Sequence, residues 1–284
     1  MVTTSKRSLL WACLSACFAT TAAAQPCTAP RGSYASVNGL EMYYQVQGTG
    51  KPLVLLHGGL TTIETSFDTL RPTLAKDYQT IAIEQQAHGR TANIDRPLTY
   101  EQMADDTAEL LRQLDVRDAY VLGYSDGGIV GLGLAIRHPE LVSKLIVAGA
   151  GFSNDGLIPG NLEELEALDP SDPFLAPIRD AYTAVAPRPE DWPVLIAQIK
   201  GLSRAFRGYT PAQLRTVETP VLVMNADADI FTPEHAAELK RHLPNASLAI
   251  LPMSDHFFFV ARSSWILPML QEFLAPAPAD PATP

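Results

Sequence analysis

The sequence predicts an α/β fold, a mostly parallel sheet covered by helices on both faces. Three observations carry this. Short runs such as LVLL (53–56), VL (121–122), LIVA (145–148) and VLVM (221–224) are apolar at every position. A strand buried on both faces reads that way, whereas a half-solvated strand alternates. Helical patterns lie between these runs, and strands alternating with helices build parallel sheets. Ahead of them, one pair of alternating runs flanks Asn38-Gly39, a dipeptide that favours a two-residue hairpin.

The chain has 284 residues, 46% of them hydrophobic and 18% charged, enough to bury a large core as one domain with an insertion or as two. Its formal net charge is −10, with no basic run or stripe, which argues against a nucleic-acid partner. No protein partner is predicted.

Residues 1–24 read as a secretory signal peptide: Lys6 and Arg7, then an apolar stretch, then Ala22-Ala23-Ala24 before Gln25. The expected location is therefore secreted or periplasmic. A rival reading takes LSAC, ending at Cys17, as a bacterial lipobox, with Cys17 carrying lipid and anchoring the chain to a membrane. Cleavage after Ala24 is preferred, because the alanines follow at a suitable distance. It would leave Cys27 alone, so neither an internal disulfide nor a cysteine-based metal site is expected.

A polar leader (25–33) precedes the hairpin runs. KPLVLLHGG then reads as a buried strand with a glycine exit, and QTIAIEQQAHGRT as another with a polar exit. LTYEQMADDTAELLRQLD is helical: Thr99 and Gln102 fit a capping box, and Met103, Ala104, Leu110, Leu111 and Leu114 share a face. AYVLGY is a strand, SDGGIVGLGLAIRHPE a helix, and SKLIVAGA the next strand. This first part of the core covers 34–151. Residues 152–216 break the rhythm with proline-rich, helix-like pieces and no clear strand, and are expected to form a lid over the carboxyl edge of the sheet. The second part of the core, 217–274, holds strands at TPVLVMNA and ASLAILP and helices at PEHAAELKRHL and SSWILPMLQEFL. The tail 275–284 is Pro/Ala low complexity, of a kind expected to be disordered.

The chemistry centres on Gly123-Tyr124-Ser125-Asp126-Gly127, which fits G-x-S-x-G with a strand before it and a helix after it. Ser125 is the candidate nucleophile, standing over the first turn of a helix whose free N–H groups favour negative charge. A serine hydroxyl needs a base, and the base an orienting acid. In this arrangement they follow in the order Ser, Asp/Glu, His. His57 and His88 precede the serine, His138 follows its helix, and His235 and His242 lie in a polar helix pattern. His256, in a loop after a late strand, is the candidate base. Asp229 is the preferred acid and Asp227 the alternative, the latter read as a loop-stabilising residue. The backbone N–H groups of Gly59 and Asp126 are the expected donors to an oxyanion.

With these residues in place the chain resembles α/β-hydrolase fold enzymes over about residues 34–274. The matching pieces are LLHGG, EQQAHGRT, GYSDGG, RHPELVSKLIV, NADADIFTP and SDHFFF. The resemblance implies an eight-stranded, mostly parallel sheet, a helical lid inserted after strand six, and no cofactor or metal. The chain departs from the family pattern at Gln86 and Ala87, where Arg and Gly are usual, and at Ser254-Asp255, where small residues dominate. Ser125 argues against the branches that use an aspartate nucleophile. The expected function is a secreted serine hydrolase acting on a small-molecule carboxylic ester or lactone. The rivals are a carbon–carbon bond hydrolase or perhydrolase on the same triad, and a non-enzymatic binder of this fold. GxSDGG further resembles the biphenyl-hydrolase-like branch, which includes hydrolases of amino-acid esters. Asp126 is accordingly either a residue offsetting the helix dipole, the preferred reading, or a partner for a cationic group on the substrate.

Overall fold

The computed structural model describes residues 30–276. The expected signal peptide, its Ala24-Gln25 junction, the Cys17 alternative, Cys27 and residues 277–284 of the tail lie outside the described residues.

The hairpin comes first, β1 (Arg31–Val37) against β2 (Leu40–Gln47). Its turn needs two successive left-handed residues, and Asn38 (φ 48) and Gly39 (φ 87) supply them. Then come β3 (Lys51–Leu56), β4 (Tyr78–Ile83), β5 (Ala119–Tyr124), β6 (Val142–Ala148), β7 (Val221–Ala228) and β8 (Ala246–Asp255). The eight strands lie in the order β1-β2-β4-β3-β5-β6-β7-β8. All pairings from β4 through β8 are parallel, and β2 joins β4 antiparallel.

Helices fill every crossover. Two short ones, α1 (Ile63–Phe67) and α2 (Arg71–Leu74), link β3 to β4, and α3 (Tyr100–Gln113) links β4 to β5. Between β5 and β6 runs α4 (Asp126–Arg137). The long passage from β6 to β7 carries α5 (Asn161–Ala167), α6 (Ala176–Val185), α7 (Trp192–Ala205) and α8 (Pro211–Leu214). Helix α9 (Pro233–His242) leads to β8, and α10 (Phe258–Ala261) and α11 (Ser263–Leu274) follow it.

Side chains alternate across a strand, so each buried strand feeds two cores. Val54 and Leu56 of β3 pack into the core shared with α3 and α4. Leu53 and Leu55 pack on the opposite face with Phe67, Phe258 and Leu270. This is why the run 53–56 shows no polar position.

The capping box expected at Thr99 is half made. Thr99 Oγ1 accepts the Gln102 N–H at 3.1 Å, but the Gln102 side-chain amide donates to Asp106 Oδ1 at 2.9 Å instead of turning back to Thr99. Asp106 is buried and draws donors from Gln102, Asn38 and Arg96 together. A buried carboxylate without them would cost more than the cap contributes.

Candidate active site

Ser125 joins β5 to α4 in a backbone conformation (φ 54, ψ −125) that a non-glycine residue adopts only under constraint. The constraint is visible: Ser125 N–H donates to Ala148 O of β6, and Ser125 O accepts Gly128 N–H, each at 2.8 Å. The flanking glycines serve close approach. A Cβ on Gly127 would overlap the Leu56 carbonyl oxygen of β3, and one on Gly123 would overlap the Gly127 carbonyl oxygen. The turn therefore presses α4 onto the sheet and lifts the serine to its edge.

The turn after β8 brings His256 to this serine. His256 Nε2 lies 3.0 Å from Ser125 Oγ, and Nδ1 lies 2.6 Å from Asp229 Oδ1. A carboxylate can only accept, so Nδ1 carries the hydrogen and Nε2 is left to accept from the serine hydroxyl. Asp229 is 2% exposed, and its oxygens also accept the N–H groups of Ile230 (2.7 Å) and Ala226 (3.4 Å). Tyr124 braces the imidazole from below. Its ring stacks on His256, with centroids 5.4 Å apart, and its hydroxyl donates to the His256 carbonyl at 2.9 Å. Asp227 stands outside this chain of contacts and bonds the backbone of Met253 and Ser254 instead.

Gly59 and Asp126 share one pocket with Ser125, of about 260 Å³. Asp126 Oδ1 accepts the Tyr100 hydroxyl at 2.7 Å, and a Cβ on Gly59 would collide with Oδ2. Burial holds the Asp126 carboxyl above its ordinary range, against the pull of the Tyr100 hydroxyl. The opposite wall comes from the passage between β6 and β7: Asn161, Glu164 and Leu165 of α5, then Leu168, and Ile199 of α7.

Two histidines that sequence order sets aside hold the loop carrying Gly59. His57 Nδ1 bonds the Gly58 carbonyl (2.8 Å) and Nε2 accepts the Gln85 N–H (3.1 Å). His88 Nδ1 bonds the Gln86 carbonyl (2.9 Å) and Nε2 accepts the Leu60 N–H (3.3 Å). Each ring donates at one nitrogen and accepts at the other, which only the neutral form can do. Burial accordingly pushes His57 down to about 4 and His88 to about 3. Both bases are depressed below their unfolded value, so their contribution to stability is present above about pH 6.5 and is lost as pH falls toward 4. Glu84, which burial raises to about 7, works in the opposite sense, its contribution being lost as pH climbs through that value. Comparing variants isolates one histidine. His88→Gln should flatten the dependence of unfolding free energy on pH between 4 and 6.5 by about one proton, or about 1.4 kcal/mol per pH unit, read from urea titrations. An unchanged slope would mean that His88 is not held neutral.

The departures at 86 and 87 also have a structural place. Gln86 Oε1 accepts Arg96 Nε (2.8 Å), and its amide donates to Asn93 Oδ1 and Arg96 O. From α7, Gln198 donates to the same two oxygens and accepts the Leu98 N–H at 3.1 Å. Ala87 occupies the left-handed region at φ 68, where the family pattern has glycine. No sequence pattern marks the Gln86–Gln198 link, because its partners lie far apart in the chain and share no period. Among the described residues, no group of three or more His, Cys, Asp or Glu is placed to hold a metal.

A model of the alpha/beta hydrolase family matches residues 53–266. The mouse (Mus musculus) serine hydrolase BPHL is 26% identical over 258 residues, spanning 87% of each chain. A putative carbamate hydrolase, RutD of Azorhizobium caulinodans, is 28% identical over 245 residues, 79% of this chain and 91% of its own. Among solved structures, the enol-lactonase from Burkholderia xenovorans LB400 superposes with a TM-score of 0.65 at 21% identity, over 85% of this chain and 99% of that one. At that identity the likeness is one of fold.

Proposed function

The chain belongs to the alpha/beta hydrolase family, and from that premise we propose that it is a serine hydrolase of small carboxylic esters or lactones. The observation that carries this reading is the unbroken contact chain Ser125–His256–Asp229 opening onto the pocket. His256 takes the Ser125 proton as the hydroxyl attacks the substrate carbonyl. Asp229 holds the imidazole in the required tautomer and balances its charge. The N–H groups of Gly59 and Asp126 receive the oxyanion. His256 then protonates the leaving alcohol, and water discharges the acyl-enzyme by the same steps in reverse.

The pocket suits a compact, mostly apolar acyl group against Leu165, Leu168, Ile199 and Ile230. Among the described residues that line it are two carboxylates, Asp126 and Glu164, and no lysine or arginine. A substrate bearing a carboxylate would meet repulsion there, which weighs against acidic substrates on the same triad. A panel of p-nitrophenyl esters, homoserine lactones and an acidic carbon–carbon hydrolase substrate separates the readings. Turnover of the esters or lactones supports this one. Turnover of the acidic substrate alone would replace it, and no turnover of any member would favour a binding protein.

One observation favours a cationic substrate. The Asp126 carboxylate, bonded to Tyr100, lines the pocket, where it could meet a cationic group as well as offset the dipole of α4. An asparagine there can still accept the Tyr100 hydroxyl. Asp126→Asn should lower kcat/KM for an aminoacyl ester by about tenfold, equivalent to about 1.4 kcal/mol, while a neutral ester of the same shape changes little. High salt should narrow the gap. Equal losses on both esters would return Asp126 to the helix-dipole role.

The N-terminal pattern supports export with cleavage after Ala24. Mass spectrometry of protein exported by a bacterial host should find Gln25 first, whereas a diacylated Cys17 would make the chain an anchored lipoprotein.

A further inference from the structure

Asp227 lies two residues before the proposed acid, at the bulge where the pairing of β7 with β8 shifts between Ala226 and Ala228. It is exposed and does not line the pocket, yet each of its carboxylate oxygens has a backbone donor. Oδ2 accepts the Met253 N–H at 2.8 Å and Oδ1 accepts the Ser254 N–H at 3.0 Å. These two N–H groups belong to a bulged stretch of β8, residues 252–254, between the pairs Ala226–Leu251 and Ala228–Asp255. Met253 has φ 53, a conformation that favours glycine, and the residue is 73% exposed. Packing of the side chain therefore does little to hold it there. Asp227 holds the bulge from the β7 side and Arg262, which donates to the Met253 carbonyl at 3.1 Å, from the other, while the Ser254 hydroxyl donates to the Pro252 carbonyl at 3.0 Å within it. His256 follows two residues after Ser254.

We propose that Asp227 is a positioning residue for the reaction proposed above. Acting through the Met253 and Ser254 N–H groups, it fixes the bulged end of β8, from which the next turn delivers His256 between Ser125 and Asp229. Tyr124 and Asp229 hold the carbonyl and the ring of His256, and the pairing of Asp255 with Ala228 holds the residue before it, but the bulged residues 252–254 lie between ladder pairs. Without the clamp, Met253 relaxes toward ordinary backbone angles and the chain entering His256 shifts. The Ser125–His256 contact then lengthens for part of the time. The two N–H groups also hold the Asp227 carboxyl below its ordinary range, so the acceptor stays charged at neutral pH.

The inference rests on the catalytic reading, and the test separates the two. The readout is the rate at which a fluorophosphonate labels Ser125, followed by mass spectrometry, beside kcat and KM for p-nitrophenyl acetate and the Tm. Asp227→Ala should slow labelling and lower kcat by roughly tenfold to a hundredfold, the range expected when a remote change misplaces a catalytic group, with KM within about twofold. Asp227→Asn keeps one acceptor oxygen and turns an NH2 toward the other N–H, so it should fall between Asp227→Ala and the wild type. It also serves where Asp227→Ala does not fold. A lowered Tm with unchanged labelling, or a loss confined to KM, would overturn the proposal alone. A wild-type protein that the reagent does not label would overturn the catalytic reading and this proposal with it.

Discussion

Ser125→Ala should lower kcat for p-nitrophenyl acetate by at least three orders of magnitude, with KM little changed and the fold intact. The loss is large because, among the described residues, no other hydroxyl bonds the His256 ring. Nucleophile, base and acid act as a unit, so losing one forfeits most of what they contribute together. Residual turnover over water would come from the pocket and the oxyanion donors, which the substitution leaves in place. The fold should survive because the side chain makes one hydrogen bond, to His256, while the strained turn is held by the backbone bonds to Ala148 and Gly128. Alanine occupies φ 54 at about the same cost as serine, of order 1–3 kcal/mol in both. Steady-state kinetics beside circular dichroism decide the matter. A folded variant keeping a tenth of wild-type turnover would remove Ser125 from the mechanism.

Asp229→Asn should be nearly as severe, with a loss on the order of 10³–10⁴ in kcat, the scale seen when the triad acid of a serine protease becomes an amide. That asparagine presents either an NH2 group that cannot accept from Nδ1–H or an uncharged oxygen that stabilises the imidazolium poorly. If the imidazole flips its tautomer to suit the NH2, Nε2 carries the hydrogen and can no longer take the serine proton. Stability should fall as well, since the buried carboxylate also accepts the Ile230 and Ala226 N–H groups. Asp227→Asn should cost far less, because Asp227 reaches His256 only through backbone. Measuring kcat/KM for both variants at one pH is enough. If Asp227→Asn loses more, the acid moves to Asp227.

Much of this was legible in the chain itself. The runs at 53–56, 145–148 and 221–224 are apolar throughout because both faces of those strands are covered, and burial is what such periodicity records. Asn38-Gly39 marked the hairpin because few other residue pairs adopt two successive left-handed conformations without cost. Ser125, Asp229 and His256 could be named from their order, their loops and the glycines around the serine, all of them local signals.

Other features leave no local signal. The chain order of the triad gives His57 and His88 no role, yet they brace the loop bearing Gly59. Gln86 looked like a departure from pattern and joins Gln198, more than a hundred residues away, through Asn93 and Arg96. The Gln102 amide passed over its cap for buried Asp106. By itself the sequence determined the fold class, most of the strands and helices, and a candidate nucleophile, base and acid, because each depends on burial periodicity or on the backbone demands of a few neighbouring residues. Only the tertiary structure decided the strand order, the pocket wall supplied by α5 and α7, the Tyr100–Asp126 bond and the Asp227 clamp. These are directional contacts between groups distant in sequence, and a hydrogen bond depends on where two atoms come to rest in space, which no spacing along the chain encodes.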